Sequence, residues 1–161
     1  LWVSVTPLQM ATAYSVLANG GIYIKPRIIN KIRFPEWKII DYKREETRRV
    51  IKKSTSDIIT KLLVSSVNEW VAQNWKVEWY SVAWKTWTSQ IPYKWKYEVW
   101  QWSTIWSFAW YWPAEDPKFV IIVKLDRPRM WQWYGWATSA HIFSEVASYL
   151  FDYYSIPKKI K

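Results

Sequence analysis

Cysteine is absent from this 161-residue chain, histidine occurs once and glycine only three times. Without cysteine there is no disulfide framework and no thiolate chemistry, and the redox compartment stays open. The single histidine, His141, cannot build a histidine-based metal centre, so neither a metal nor a cofactor is expected. Long apolar runs are missing too. No stretch approaches the ~20 residues of a membrane span, and no secretory signal is visible. The glycine shortage is the most informative absence. Average usage corresponds to about 11 glycines at this length, and turns rely on them because glycine enters φ > 0 without strain.

Tryptophan fills the gap, with 16 residues. Asn74-Trp75, Glu36-Trp37, Lys94-Trp95, Tyr111-Trp112-Pro113 and Gly135-Trp136 all stand where turn sequences ordinarily carry glycine. Excess and deficit are complementary. The pattern predicts a gene in which UGA specifies glycine and has been read as tryptophan, with Gly20, Gly21 and Gly135 coming from ordinary codons. Trp133 is the position that an aromatic also suits. As written, many indoles should then project into solvent or sit at φ > 0. The alternative is a genuine Trp-rich, basic, non-enzymatic module that binds glycan, nucleic acid or a membrane surface. UGA or UGG codons in the gene discriminate the two.

The net charge is +10. Basic residues are dispersed, with local density at Lys43-Arg44, Arg48-Arg49, Lys52-Lys53 and over Pro157 to Lys161. A solvated basic surface accounts for this, and attraction to an anionic polymer or membrane is the functional alternative. Nucleic-acid binding would need stacking aromatics beside the cations. That case lapses if the aromatics stand for glycine, so no nucleic-acid partner is expected.

The elements alternate as in a mixed α/β domain. Thr6 caps a helix with Pro7 at its first position, Asn19-Gly20-Gly21 ends it, and Leu8, Met10, Ala11, Tyr14 and Leu17 form its apolar set. Residues 22–34 and 38–42 read as strands around the Pro35-Glu36-Trp37 turn. Ser54 and Asp57 predict a capping box for a second helix, with Ile58, Ile59, Leu62, Leu63, Ser66 and Val67 as its buried stripe and Trp70 just past its end. A strand is expected over 77–90, a polar loop over 91–101, and two more strands over 103–111 and 119–126. The link 113–117 suits an antiparallel hairpin. A helix over 137–154 with Ile142, Phe143, Val146, Leu150 and Phe151 inward closes the chain.

With glycine restored, Trp84-Lys85-Thr86-Trp87-Thr88-Ser89 becomes G-K-T-G-T-S, the K-T-G element of penicillin-interacting serine acyltransferases. Alone the triplet is weak, but its neighbours follow in order. Leu1-Trp2-Val3-Ser4-Val5-Thr6-Pro7-Leu8-Gln9-Met10-Ala11-Thr12-Ala13-Tyr14 runs into Leu17-Ala18-Asn19-Gly20-Gly21 upstream. Downstream come Ser107-Phe108-Ala109-Trp110-Tyr111-Trp112-Pro113-Ala114-Glu115-Asp116-Pro117 and Tyr134-Gly135-Trp136-Ala137. Together these segments resemble the transpeptidase domain of penicillin-binding proteins across nearly the whole chain. The S-F-x-G form is similar to the class B, transpeptidase-only branch.

The resemblance implies a mixed α/β fold, an antiparallel sheet with helices on both sides, here incomplete. Residues 1–155 would be the C-terminal part of the transpeptidase domain and 156–161 a basic tail. It implies a D,D-transpeptidase that cross-links peptidoglycan stem peptides and binds β-lactams, working with other cell-wall synthesis proteins. The catalytic domain would lie on the outer face of the cytoplasmic membrane, held by an N-terminal anchor absent from this chain. Site roles carried over are Lys85 for local positive potential and Thr86 and Thr88 as hydroxyls that bind the substrate carboxylate. The Thr88 N–H joins the oxyanion hole, and glycine at Trp87 keeps the strand wall flat. Acyl transfer also needs a nucleophile and its base. The family's S-x-x-K and S-x-N motifs lie before Leu1, and Ser4, Ser15, Ser65 and Ser66 have no lysine three residues on. The chain alone is therefore expected to be inactive and not to label with penicillin. His141 belongs to the last helix. Glu115 and Asp116 read as turn residues, and nothing requires a role for Asp126.

Overall fold

The computed structural model describes residues 4–43, 47–70, 81–100, 102–129 and 135–156. Helix α1 (Pro7–Ala18) starts as its sequence dictates. The Thr6 hydroxyl accepts from the Gln9 N–H at 3.2 Å, and the Gln9 side-chain oxygen accepts from the Thr6 N–H at 2.8 Å. This closed capping box, with Pro7 next, satisfies donors that a helix leaves open. At the far end Gly20 and Gly21 take φ of +73° and +93°. Gly21 is demanded twice over, because a Cβ there would lie 2.2 Å from the Ile51 carbonyl oxygen. That closeness follows from the Val50 and Ile51 N–H groups both donating to the Gly21 carbonyl.

The strand expected over 22–34 is two strands with different partners. β1 (Ile22–Ile24) pairs with β4 (Thr47–Arg49), and β2 (Lys31–Arg33) pairs with β3 (Ile39–Asp41). Pro26 lies between the halves and has no N–H to continue a ladder. The β2–β3 turn at residues 34–38 is as expected, with Trp37 at φ +62°. β4 went unseen because Thr-Arg-Arg, exposed throughout, carries no apolar alternation.

Helix α2 (Lys53–Trp70) begins before Ser54, so the expected capping box does not form. Asp57 instead pairs with the Lys53 ammonium at 2.8 Å, one helical turn away. Its inward side carries Ser56, whose hydroxyl donates to the Leu17 carbonyl at 2.6 Å, with Ile59, Thr60, Leu63 and Val64. The expected stripe is thus rotated, and Ile58, Leu62 and Ser66 are exposed. Trp70 is the last helical residue rather than one beyond it.

β5 (Ala83–Gln90), β8 (Thr104–Trp112) and β9 (Phe119–Asp126) form one antiparallel sheet in the order β5-β8-β9. Part of the strand expected over 77–90, namely 77–80, lies outside the described residues. Within the expected loop 91–101 a small hairpin forms from β6 (Pro92–Tyr93) and β7 (Lys96–Tyr97). The 113–117 link does join β8 to β9 as a hairpin, and the Trp112–Pro113 bond is cis. Alternation sorts the sheet's faces. Trp84, Phe108, Trp110, Trp112, Phe119, Ile121 and Val123 meet α3 (Gly135–Tyr153) through Phe143, Ala147, Leu150 and Phe151. Ile142 and Val146, expected inward, are exposed. Ala83, Tyr111 and Val120 face the other way, onto Tyr14, Leu17 and Ala18 of α1 and Leu63 and Val64 of α2. The fold is therefore mixed α/β, with helices on both sides of an antiparallel sheet. Leu8, assigned to the apolar set of α1, is exposed.

The tryptophans divide. Trp37, Trp95 and Trp100 project into solvent. Trp106, Trp110 and Trp112 do not; they are buried along β8 on ordinary extended backbone. The indole of Trp110 meets the Phe143 ring edge-on at 4.4 Å between centroids.

Candidate substrate-binding strand

β5 is an edge strand: among the described residues it pairs with β8 alone. Every second N–H and C=O of such a strand is left for another partner. Thr86 and Thr88 lie opposite Phe108 and Trp106, on the sheet face that also carries Trp84. Their Cα atoms are separated by about 6.7 Å at the usual rise of a strand. Lys85 and Trp87 point to the other face, opposite Ala109 and Ser107. The Lys85 ammonium is exposed and donates back to the Thr86 carbonyl at 2.8 Å. The Trp87 ring stacks on Tyr14 of α1, 6.4 Å away and 9° from parallel.

All four residues singled out in the sequence, Lys85, Thr86, Trp87 and Thr88, are therefore brought together on one open edge. Two hydroxyls, a row of N–H donors and an ammonium can hold a carboxylate and polarise a carbonyl. Four serine hydroxyls donate to main-chain carbonyls: Ser15 to Thr12, Ser56 to Leu17, Ser65 to Leu62 and Ser66 to Leu63. His141 belongs to α3. Asp116 pairs with Lys118 at 2.6 Å. Asp126 pairs with Arg127 at 2.7 Å and Lys124 at 3.5 Å. Among the described residues no three His, Asp or Glu side chains gather to hold a metal ion, and no helix is long and apolar enough to cross a membrane.

Behind the strand lies a phenol pair that sequence reasoning passed over. Tyr111 is fully buried, with its hydroxyl 2.7 Å from that of Thr60. Burial pushes its pKa up, and the Thr60 bond offsets part of this. Burial, then the neighbouring Tyr111, raises Tyr14 in the same direction. The Arg127–Glu98 ion pair was missed as well. Its partners are 29 residues apart, and no spacing rule connects them.

A family model, the penicillin binding protein transpeptidase domain, matches residues 3–148. Penicillin-binding protein PbpB of Mycolicibacterium smegmatis is 31% identical over 166 residues, covering 96% of this chain and 25% of that protein. Stage V sporulation protein D of Bacillus subtilis is 34% identical over 146 residues, 89% of this chain and 22% of that protein. The chain thus spans about a quarter of the length of these curated relatives. Among solved structures, a peptidoglycan synthetase from Bifidobacterium adolescentis matches with a TM-score of 0.82 at 26% identity, covering 98% of this chain and 28% of that one. Penicillin-binding protein 3 of Mycobacterium tuberculosis, complexed with aztreonam, matches with a TM-score of 0.82 at 24% identity, 99% of this chain and 37% of that one. The last of these speaks to the fold alone.

Proposed function

Because the chain belongs to the penicillin-binding protein transpeptidase domain family, we propose that it is the K-T-G-bearing part of a class B peptidoglycan D,D-transpeptidase. The whole protein cross-links stem peptides by serine acyl transfer and is acylated by β-lactams. One observation carries the reading: Thr86 and Thr88 share a face of an edge strand that also bears Lys85. In this role the two hydroxyls hold the terminal carboxylate of the donor peptide or of a β-lactam. The Thr88 N–H, with the nucleophile's own N–H, stabilises the oxyanion, and Lys85 supplies positive potential. The nucleophilic serine and its lysine base come from outside residues 1–161, so this chain binds and does not react. The full protein sits on the outer face of the cytoplasmic membrane through an N-terminal anchor and works beside other cell-wall synthesis proteins.

The same proposal holds that glycine stands at most tryptophan positions, Trp87 included. Two observations support it. Trp37 sits at φ +62°, a conformation that glycine adopts and tryptophan rarely does. The indole N–H groups of Trp84, Trp110 and Trp112 are buried without a hydrogen-bond partner. Each such donor costs ~1–3 kcal/mol, large against a domain stability of about 5–15 kcal/mol. With glycine in β8, the rings of Phe143 and Phe151 would close directly on the sheet.

Labelling by a fluorescent penicillin tests the function. The full-length protein, produced with glycine at these positions, should form a covalent adduct on a serine outside residues 1–161. Thr86→Val and Thr88→Val remove the hydroxyls that hold the carboxylate and should each slow acylation by about 10- to 100-fold, the scale of a lost hydrogen bond to a charged group. An unlabelled full-length protein, or an adduct mapped within residues 1–161, counts against the proposal.

A further inference from the structure

The end of the sheet next to Thr88 carries a construction that the carboxylate-binding role leaves unexplained. After β5 the chain buries Ile91 and turns through the β6–β7 hairpin to Glu98. There three connections converge. The Glu98 N–H donates to the Ile91 carbonyl at 2.8 Å and closes the base of the hairpin. The Glu98 carbonyl accepts from the Ser103 hydroxyl at 2.9 Å, at the entrance to β8. The Glu98 carboxylate takes the guanidinium of Arg127, just past β9, through two bonds: Nε to Oε2 at 3.1 Å and Nη2 to Oε1 at 2.5 Å.

This is no ordinary surface pair. The Glu98 side chain is only 14% exposed, and a two-bond fork fixes direction as well as distance. Arg127 holds φ +47°, a backbone state uncommon for a residue with a side chain. The surroundings keep it there: its N–H donates to the Thr104 carbonyl at 3.0 Å, and its Nη1 donates to Asp126 at 2.7 Å. The hydrogen bonds that Arg127 donates to Glu98 raise the guanidinium pKa further, and an arginine is charged in any case. The pair lies in the wall of a cleft of about 1010 Å³ that Tyr93, Lys96, Tyr97 and Arg129 also line. Ile91 is three residues along the chain from Thr88, about 10 Å at the rise of a strand.

We propose that Glu98 and Arg127 are positioning residues that lock the 91–98 hairpin to the shared end of β5, β8 and β9. The hairpin then walls the adjoining cleft, which none of Lys85, Thr86 and Thr88 lines, and in this role that cleft takes the part of the ligand beyond the carboxylate. The inference rests on the function proposed above and adds to it. Neither residue touches the reacting atoms. Their effect is on how tightly the ligand is held before acylation, not on the bond-forming step. A hairpin released from the sheet end leaves the Thr86 and Thr88 hydroxyls in place and removes one side of the cleft.

The test uses the full-length protein and separates the pre-acylation dissociation constant for a β-lactam from the first-order acylation constant. Glu98→Gln and Arg127→Met should each weaken pre-acylation binding by about tenfold while the acylation constant stays within about twofold, a split that marks lost ground-state contacts. Exchanging the partners, Glu98→Arg with Arg127→Glu, should recover most of the binding. Unchanged binding in both single variants overturns the proposal. So does a parallel fall in binding, acylation and melting temperature, which marks a merely structural pair, or failure of the exchanged pair to recover binding. Wild-type protein that is not acylated at all removes the proposed function and this role with it. Normal acylation of the wild type beside unaffected variants removes only the role of the pair.

Discussion

Tyr111 shows what a single buried residue contributes behind the candidate site. Its ring closes the core between β8, α1 and α2, and its hydroxyl reaches Thr60. Tyr111→Phe leaves the ring and removes that bond, so thermal unfolding should show a loss of about 1 kcal/mol at neutral pH. The alkaline behaviour follows from the raised pKa. In the unfolded chain the phenol ionises near its ordinary value of 10.0, whereas the folded protein retains the proton to higher pH. The folded state then binds more protons, and stability falls as pH rises above 10. The Tyr111→Phe variant should show a shallower decline there than the wild type. An identical slope would place the ionising group elsewhere.

At the scale of elements, the start of α1 was legible, whereas both ends of α2 and the faces of the helices were not. The start of α1 is written in Thr6-Pro7, and the Thr6 cap forms as they imply, with Gln9 completing a capping box that was expected only at Ser54 and Asp57 of α2. Thr6→Ala should cost about 1 kcal/mol in a denaturant titration, while Thr6→Ser should cost little. Faces depend on what lies opposite. The stripe of α2 was assigned from hydrophobicity, yet the helix turns Ser56 and Thr60 inward because the Leu17 carbonyl and the Tyr111 hydroxyl are there to receive them. Ile58 and Leu62 are left outside as a consequence. In α3 the small Ala147 is taken into the core and the larger Val146 is not, because Ala147 falls in line with Phe143 and Phe151 against β8.

For the molecule as a whole, the proposal that glycine stands at most tryptophan positions has the largest consequence. The indoles of Trp84, Trp110 and Trp112 fill the layer between sheet and α3 and leave three N–H groups without partners. Tryptic peptides of the natural protein spanning Val77 to Lys85 and Thr86 to Lys94 should carry glycine masses. A chain with glycine at every tryptophan position except Trp133 should melt at a higher temperature than the chain as written. Tryptophan masses in those peptides, together with a lower melting temperature of the glycine form, would remove K-T-G from the reading.

The candidate strand, its four residues and the alternation of helices with antiparallel strands were legible because they depend on local order: motif spacing, capping residues and period-two patterning. Three neighbouring motifs in sequence also located Lys85, Thr86 and Thr88 on one edge before any contact was known. Distance in the chain hid the rest. β1 finds β4 across 22 intervening residues, Thr60 meets Tyr111 across a separation of 51, and Glu98 meets Arg127 across 29. Such pairs carry no local pattern, since either partner alone looks like an ordinary surface or core residue. Only the packing of helices on both faces of the sheet brings them within reach, and with them the hairpin wall beside Thr88.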